Sequence, residues 1–185
     1  MSAAPLVFRL EGACWTLRIL PTVVHFLAQY AQTNRLQRES VGQLYARDLT
    51  GNSIDIELAT LLPPKWSLRT RVKFNTQQAM EEREAKFKEG LHCVGLWHTH
   101  PEKTPEPSRE DHGLAREHAL AARPQLAGLV FVIVGNAPVP HGLGIWIDDG
   151  ELLRRCWHDT PDTPPKIPTQ ARMRSKGPHN DATRA

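Results

Sequence analysis

The 185-residue sequence predicts a single mixed α/β domain, and three observations carry that prediction. Strand-like and amphipathic helix-like segments interleave along the first 157 residues. The longest apolar run, LAGLVFVIVG from Leu126 to Gly135, reads as a buried strand and is about half the length of a membrane span. Apolar content of 40% and charged content of 23% are ordinary for a globular chain that buries one core.

The elements follow in order. PLVFRL and CWTLRIL, divided by Glu11-Gly12-Ala13, read as an opening β-hairpin. PTVVHFLAQYAQ reads as a helix with Pro21 in its first turn and Val23, Val24, Leu27 and Ala31 on one face. VGQLYARDL and SIDIELATLL are strand candidates joined by the turn residues Thr50-Gly51-Asn52. LPPKWSLRTRVKF is loop-like at Pro63-Pro64 and strand-like at its end. A helix is expected from an Asn75 or Thr76 cap to Gly90, with Met80 and Phe87 facing inwards. LHCVGLW reads as a strand, SREDHGLAREHALAA as a helix, and GLGIWIDDGELLRRCW as a hairpin around Asp149-Gly150.

The expected domain is residues 1–159. Residues 160–185 contain five prolines, few apolar residues and no periodicity, so a disordered tail is expected there. That tail holds Lys166, Arg172, Arg174, Lys176 and Arg184 against Asp162 and Asp181, which accounts for the whole net charge of +3. The body is therefore neutral and offers no electrostatic footprint for nucleic acid. Cys14, Cys93 and Cys156 are scattered, without a CxxC pair, which fits a reducing cytoplasm rather than a disulfide framework. MSAAPLVFRLEG lacks the pattern of a secretory signal, so none is expected.

The stretch WHTHPEKTPEPSREDH, Trp97 to His112, concentrates the chemistry. His98 and His100 stand two apart at the end of a strand, so both leave the same face, about 6.6 Å apart along the chain. Pro101 turns the chain, and Ser108 opens a helix with Asp111 in its first turn. A carboxylate there can fold back as a third ligand, and two His with one Asp and an open position is a catalytic zinc pattern. Ser-x-x-Asp is also a capping box, a role compatible with ligation. His-x-His, seven residues opening on Pro101, then Ser-x-x-Asp arises by chance in about one such chain in twenty thousand, so coincidence fails for the set.

With those residues in view, the chain resembles the JAMM (MPN+) zinc metalloproteases, and most of all their prokaryotic, JAB-type members. Their signature is an upstream Glu, then His-Ser/Thr-His, seven residues beginning with Pro, and Ser-x-x-Asp. HTHP at His98–Pro101 and SRED at Ser108–Asp111 match it. The resemblance implies a mixed-sheet, cytidine-deaminase-like three-layer domain. It also implies one Zn2+ held by His98, His100 and Asp111, with water in the fourth position. RESVGQLYA matches the family's Glu-x-x-Gly-x-Leu setting at Glu39, Gly42 and Leu44, a match expected by chance in about one chain in a hundred. Glu39 is thereby implied as the general base and acid, with Glu57 as its rival. Ser108 is implied as a hydrogen-bond donor to the oxyanion.

The activity implied is an isopeptidase or peptidase that cuts after the C-terminus of a ubiquitin-like protein. Ubiquitin-activating-like and ubiquitin-conjugating-like proteins would be its partners. Three alternatives stay open: release of cysteine or a small group from a sulfur-carrier protein, a RadC-like DNA-associated role, and a non-enzymatic MPN scaffold. Thr99 and Glu102 depart from the RadC form, and scaffolds typically lack the ligands found here. The 62–74 segment is a candidate grip for an extended substrate tail. For Trp97 and Thr99 the expectation is core packing, and for His112 a solvent-facing helix position.

Overall fold

The computed structural model describes residues 3–34, 37–68 and 71–159; the tail expected at 160–185 lies outside them. The opening hairpin forms as the alternation predicts: β1 (Leu6–Leu10) pairs antiparallel with β2 (Thr16–Ile19). The chain then enters α1 (Pro21–Ala28) with Pro21 at its N-terminus, where a missing N–H costs nothing. This helix stops four residues short of the predicted end. Val23 and Leu27 bury, and Val24 and Ala31 pack partly against the same core.

After β3 (Val41–Ala46) the sequence suggests one strand over SIDIELATLL, but the structure divides it. β4 (Ser53–Ile56) pairs in parallel with β2, while β5 (Leu58–Ala59) pairs with β3. Among the described residues nine strands form one sheet, ordered β4-β2-β1-β11-β10-β9-β8-β3-β5. Its remaining members are β8 (His92–Thr99), β9 (Leu129–Val134), β10 (Leu143–Asp148) and β11 (Leu153–His158). The two outermost strands are thus separated by Glu57 alone, so the sheet must curl until its edges meet. The concave face holds the main core with α1, including Phe8, Leu17, Leu27, Trp97, Val132 and Ile145. On the opposite face, α3 (Arg109–Ala122) covers Leu96, Phe131, Ile133 and Trp146 through Ala115. α2 (Thr76–Lys88) lies on that same face, where Ala79 packs with Val41 and Leu62. This is the expected mixed α/β, three-layer arrangement.

A short hairpin of β6 (Pro64–Leu68) and β7 (Arg71–Phe74) stands outside the main sheet. Asn75 caps α2 as expected, its side chain accepting from the Gln77 and Gln78 amides, and Gly90 follows the helix at φ +78°. The predicted inward face is wrong, however: Met80 is 58% exposed and Phe87 63%. The cause is a polar anchor that the apolar pattern does not reveal. Glu82 accepts hydrogen bonds from Gln43, Tyr45 and Thr60, and docking that carboxylate on β3 turns Met80 and Phe87 outward.

Gly42 occupies a position no side chain could share. A Cβ there would sit 1.7 Å from the Thr60 carbonyl oxygen and 2.4 Å from Trp97 Nε1. That space is what lets Trp97 Nε1 donate to the Thr60 carbonyl at 2.8 Å. Gly42→Ala is expected to cost about 3 kcal/mol, the upper range for overpacking a closed core, read as a lower urea midpoint at unchanged slope.

Candidate metal centre

Strand β8 runs antiparallel to β3 and parallel to β9, with an extra residue at Val94 where the β3 register shifts. Beyond that bulge the strand alternates regularly. Leu96 and His98 leave on the α3 side, while Trp97 and Thr99 leave on the other. Trp97 packs against Phe26 and Tyr30, and Thr99 Oγ1 accepts from the Ser40 amide at 2.9 Å; both are buried and serve the fold.

Ser108 is the N-cap of α3 and closes a reciprocal box. Its Oγ accepts from the Asp111 amide at 3.2 Å, and Asp111 Oδ2 accepts from the Ser108 amide at 2.7 Å. The cap aims Asp111 back at the strand end. There His98 Nε2 lies 3.0 Å from His100 Nε2 and 3.0 Å from Asp111 Oδ1, and His100 Nε2 lies 3.4 Å from Asp111 Oδ2. The three side chains are only 7%, 12% and 10% exposed, so this is a built cluster rather than a surface coincidence. It is the one group of its kind among the described residues.

Those edges test whether a metal fits. A tetrahedral ion with ligand bonds of about 2.0–2.1 Å needs donor atoms roughly 3.3 Å apart, close to the imidazole–imidazole separation and to that of each imidazole from its nearer Asp111 oxygen. Two imidazoles and one carboxylate are also the donor types that zinc accepts. For His98 and Asp111 the electrostatics point the same way. Burial lowers the His98 pKa, favouring the neutral imidazole that ligates metals. Although burial opposes it, hydrogen bonding to His100 and His98 holds the Asp111 carboxyl well below the usual carboxylate range. Against a similar burial penalty, contact with Asp111 raises His100.

Glu39 precedes β3, and the pairing brings it to the same place. Val41 lies opposite His98, and the Thr99 amide donates to the Ser40 carbonyl at 3.0 Å. Two residues from Val41 in that register, Glu39 falls opposite His100 and on its face. Burial raises its pKa to about 7, and the nearby His100 works against that rise. Glu57 lies elsewhere, its amide on the Tyr45 carbonyl and its carboxylate on Arg47 at the far end of β3. His112 is exposed on α3. The side chains of 64–68 and 71–74, Trp66 among them, lie outside the description.

Two neighbours escaped the sequence reading. Glu102 Oε2 lies 3.4 Å from His100 Nδ1, and the Asn136 side chain donates to the Pro101 carbonyl at 2.7 Å. Glu102 carried a signal, being a carboxylate directly after His-x-His-Pro; Asn136 carried none.

Comparison with known proteins adds a family. The model describing prokaryotic homologs of the JAB domain matches residues 22–146. The CD-NTase/cGAS isopeptidase of Enterobacter hormaechei subsp. hoffmannii (strain UCI 50) is 27% identical over 141 residues, 75% of this chain and 77% of that one. A solution structure of a Desulfitobacterium hafniense protein superposes with a TM-score of 0.56 at 18% identity, covering 74% of this chain and 87% of its own. A Salinibacter ruber (strain DSM 13855) protein gives 0.50 at 22%, covering 82% and 94%. Both structures are likenesses of fold.

Proposed function

This chain belongs to the prokaryotic JAB-domain family, and from that premise we propose that it is a zinc-dependent isopeptidase. Its substrate would be the amide bond after the C-terminus of a ubiquitin-like protein, in a precursor or a conjugate. The observation that carries the proposal is the buried donor cluster of His98, His100 and Asp111, whose His100 and Asp111 act electrostatically on Glu39. The name of the Enterobacter relative, an isopeptidase, supports the bond type. Ubiquitin-activating-like and ubiquitin-conjugating-like partners follow from the same reading.

Zinc bound by His98, His100 and Asp111 would supply Lewis acidity, bringing the ionisation of water near pH 7 and polarising an amide carbonyl. The rest falls to the chain. Glu39, its pKa raised to about 7, can take a proton from the attacking water and deliver it to the leaving amine near neutrality. The Ser108 Oγ already accepts from the Asp111 amide, so its own O–H is left to donate to the developing oxyanion. Ser108 lies exposed at the helix start, where a substrate can reach it. The β6–β7 hairpin, apart from the main sheet, is the proposed grip for an extended tail through strand addition.

The test is cleavage by the zinc-loaded full chain of a panel of ubiquitin-like fusions, with products identified by mass spectrometry. Cutting after the ubiquitin-like C-terminus, abolished by a chelator, is the expected result. Release of cysteine from a sulfur carrier alone, or no cleavage of any member, would overturn the substrate assignment. On a cleaved fusion, Ser108→Ala is expected to lower kcat about 10²–10³-fold at unchanged zinc content. The lost cap should also cost about 1 kcal/mol in a thermal melt.

A further inference from the structure

We infer that Glu102 is a positioning residue for His100: its carboxylate accepts the Nδ1–H and so presents Nε2 to the metal. The inference rests on the metal-centre reading above. His100 faces His98 and Asp111 through Nε2, while Nδ1 lies 3.4 Å from Glu102 Oε2. A neutral imidazole carries one ring proton, and whichever nitrogen holds it cannot ligate. An acceptor at Nδ1 selects the tautomer with its lone pair on Nε2, and it also resists rotation of the ring.

The placement of Glu102 is built rather than incidental. Its backbone carbonyl accepts from the Asn136 amide at 2.9 Å, and that of Lys103 accepts from the Ala137 amide at 3.2 Å. The Asn136 side chain holds the Pro101 carbonyl between them and the histidine. Gly135 permits the approach, since a Cβ there would lie 2.6 Å from the Glu102 carbonyl oxygen and 2.8 Å from that of Lys103. His100 itself donates its amide to the Val134 carbonyl at 2.9 Å. The end of β9 and the loop after it therefore fix both backbones, leaving the carboxylate, 58% exposed, to reach the ring.

The test is the zinc dissociation constant of the full chain at neutral pH, by competition with a chromogenic chelator. Glu102→Ala should bind zinc about 10–100-fold more weakly than wild type. Its metal-free melting temperature should be unchanged, because an exposed carboxylate holds no core together. Glu102→Gln should recover most of the affinity, since a carboxamide oxygen still accepts from Nδ1–H. Wild-type affinity in Glu102→Ala would overturn the inference while leaving the metal centre intact. Equal losses in Ala and Gln would also overturn it, because the effect would then be one of net charge. A wild-type chain that binds no zinc would sink the metal-centre reading, and the inference with it.

Discussion

Asp111→Ala, purified without chelator beside the wild type, is expected to carry less than about a tenth of the zinc, against near one ion per wild-type chain. Asp111 supplies the only anionic donor of the cluster, through a carboxyl kept ionised by its partners. Truncation removes that charge and leaves two buried imidazoles facing each other at 3.0 Å. It also opens the capping box, because Oδ2 no longer accepts from the Ser108 amide. Asp111→Asn separates the two losses: its carboxamide oxygen can still cap α3, but it ligates zinc poorly. Elemental analysis by mass spectrometry reads the metal and a thermal melt reads the cap. Zinc near one ion per chain in Asp111→Ala would place the metal elsewhere.

Glu39→Ala is expected to do the opposite, abolishing turnover while zinc remains near one ion per chain. General acid-base catalysis by a positioned group is worth about 10²–10⁴ in rate, and here one carboxyl would both take the proton and return it. Glu39 does not belong to the donor cluster, so its removal leaves the ligand geometry intact. Single-turnover cleavage of a fusion cut by the wild type, with zinc measured on the same samples, checks both halves. Near-wild-type cleavage would assign the base to another group.

How much of this was legible in the sequence depends on how far apart the partners lie. His98, His100, Ser108 and Asp111 fall within one strand end and one helix start, so strand alternation and a capping rule suffice to bring them together. Glu39 lies 59 residues from His98 (98 minus 39) and was reachable only through its Gly42 and Leu44 context. The structure supplies the reason for that glycine: the Thr60 carbonyl and the Trp97 indole occupy the space of a Cβ. The division of β4 from β5 was not legible, because it arises from closure of the sheet between strands distant in sequence. Nor was the face of α2. A helix anchored by Glu82 on Gln43 and Tyr45 presents a polar side inward, where hydrophobic periodicity looks for an apolar one.

The capping box has a bearing on which ion the site prefers. One oxygen of Asp111 is already engaged by the Ser108 amide, while the other faces His98. The carboxylate thus offers Oδ1 to His98 and Oδ2, which also takes the Ser108 amide, to His100, its position set by the helix start. Calcium seeks six to eight oxygens, often with both from one carboxylate, and magnesium seeks an octahedron of oxygens. Two imidazole nitrogens and one carboxylate satisfy neither. Under the proposed reading, the donor set that the capping box holds in place, two nitrogens to one carboxylate, gives the site selectivity against the abundant alkaline-earth ions.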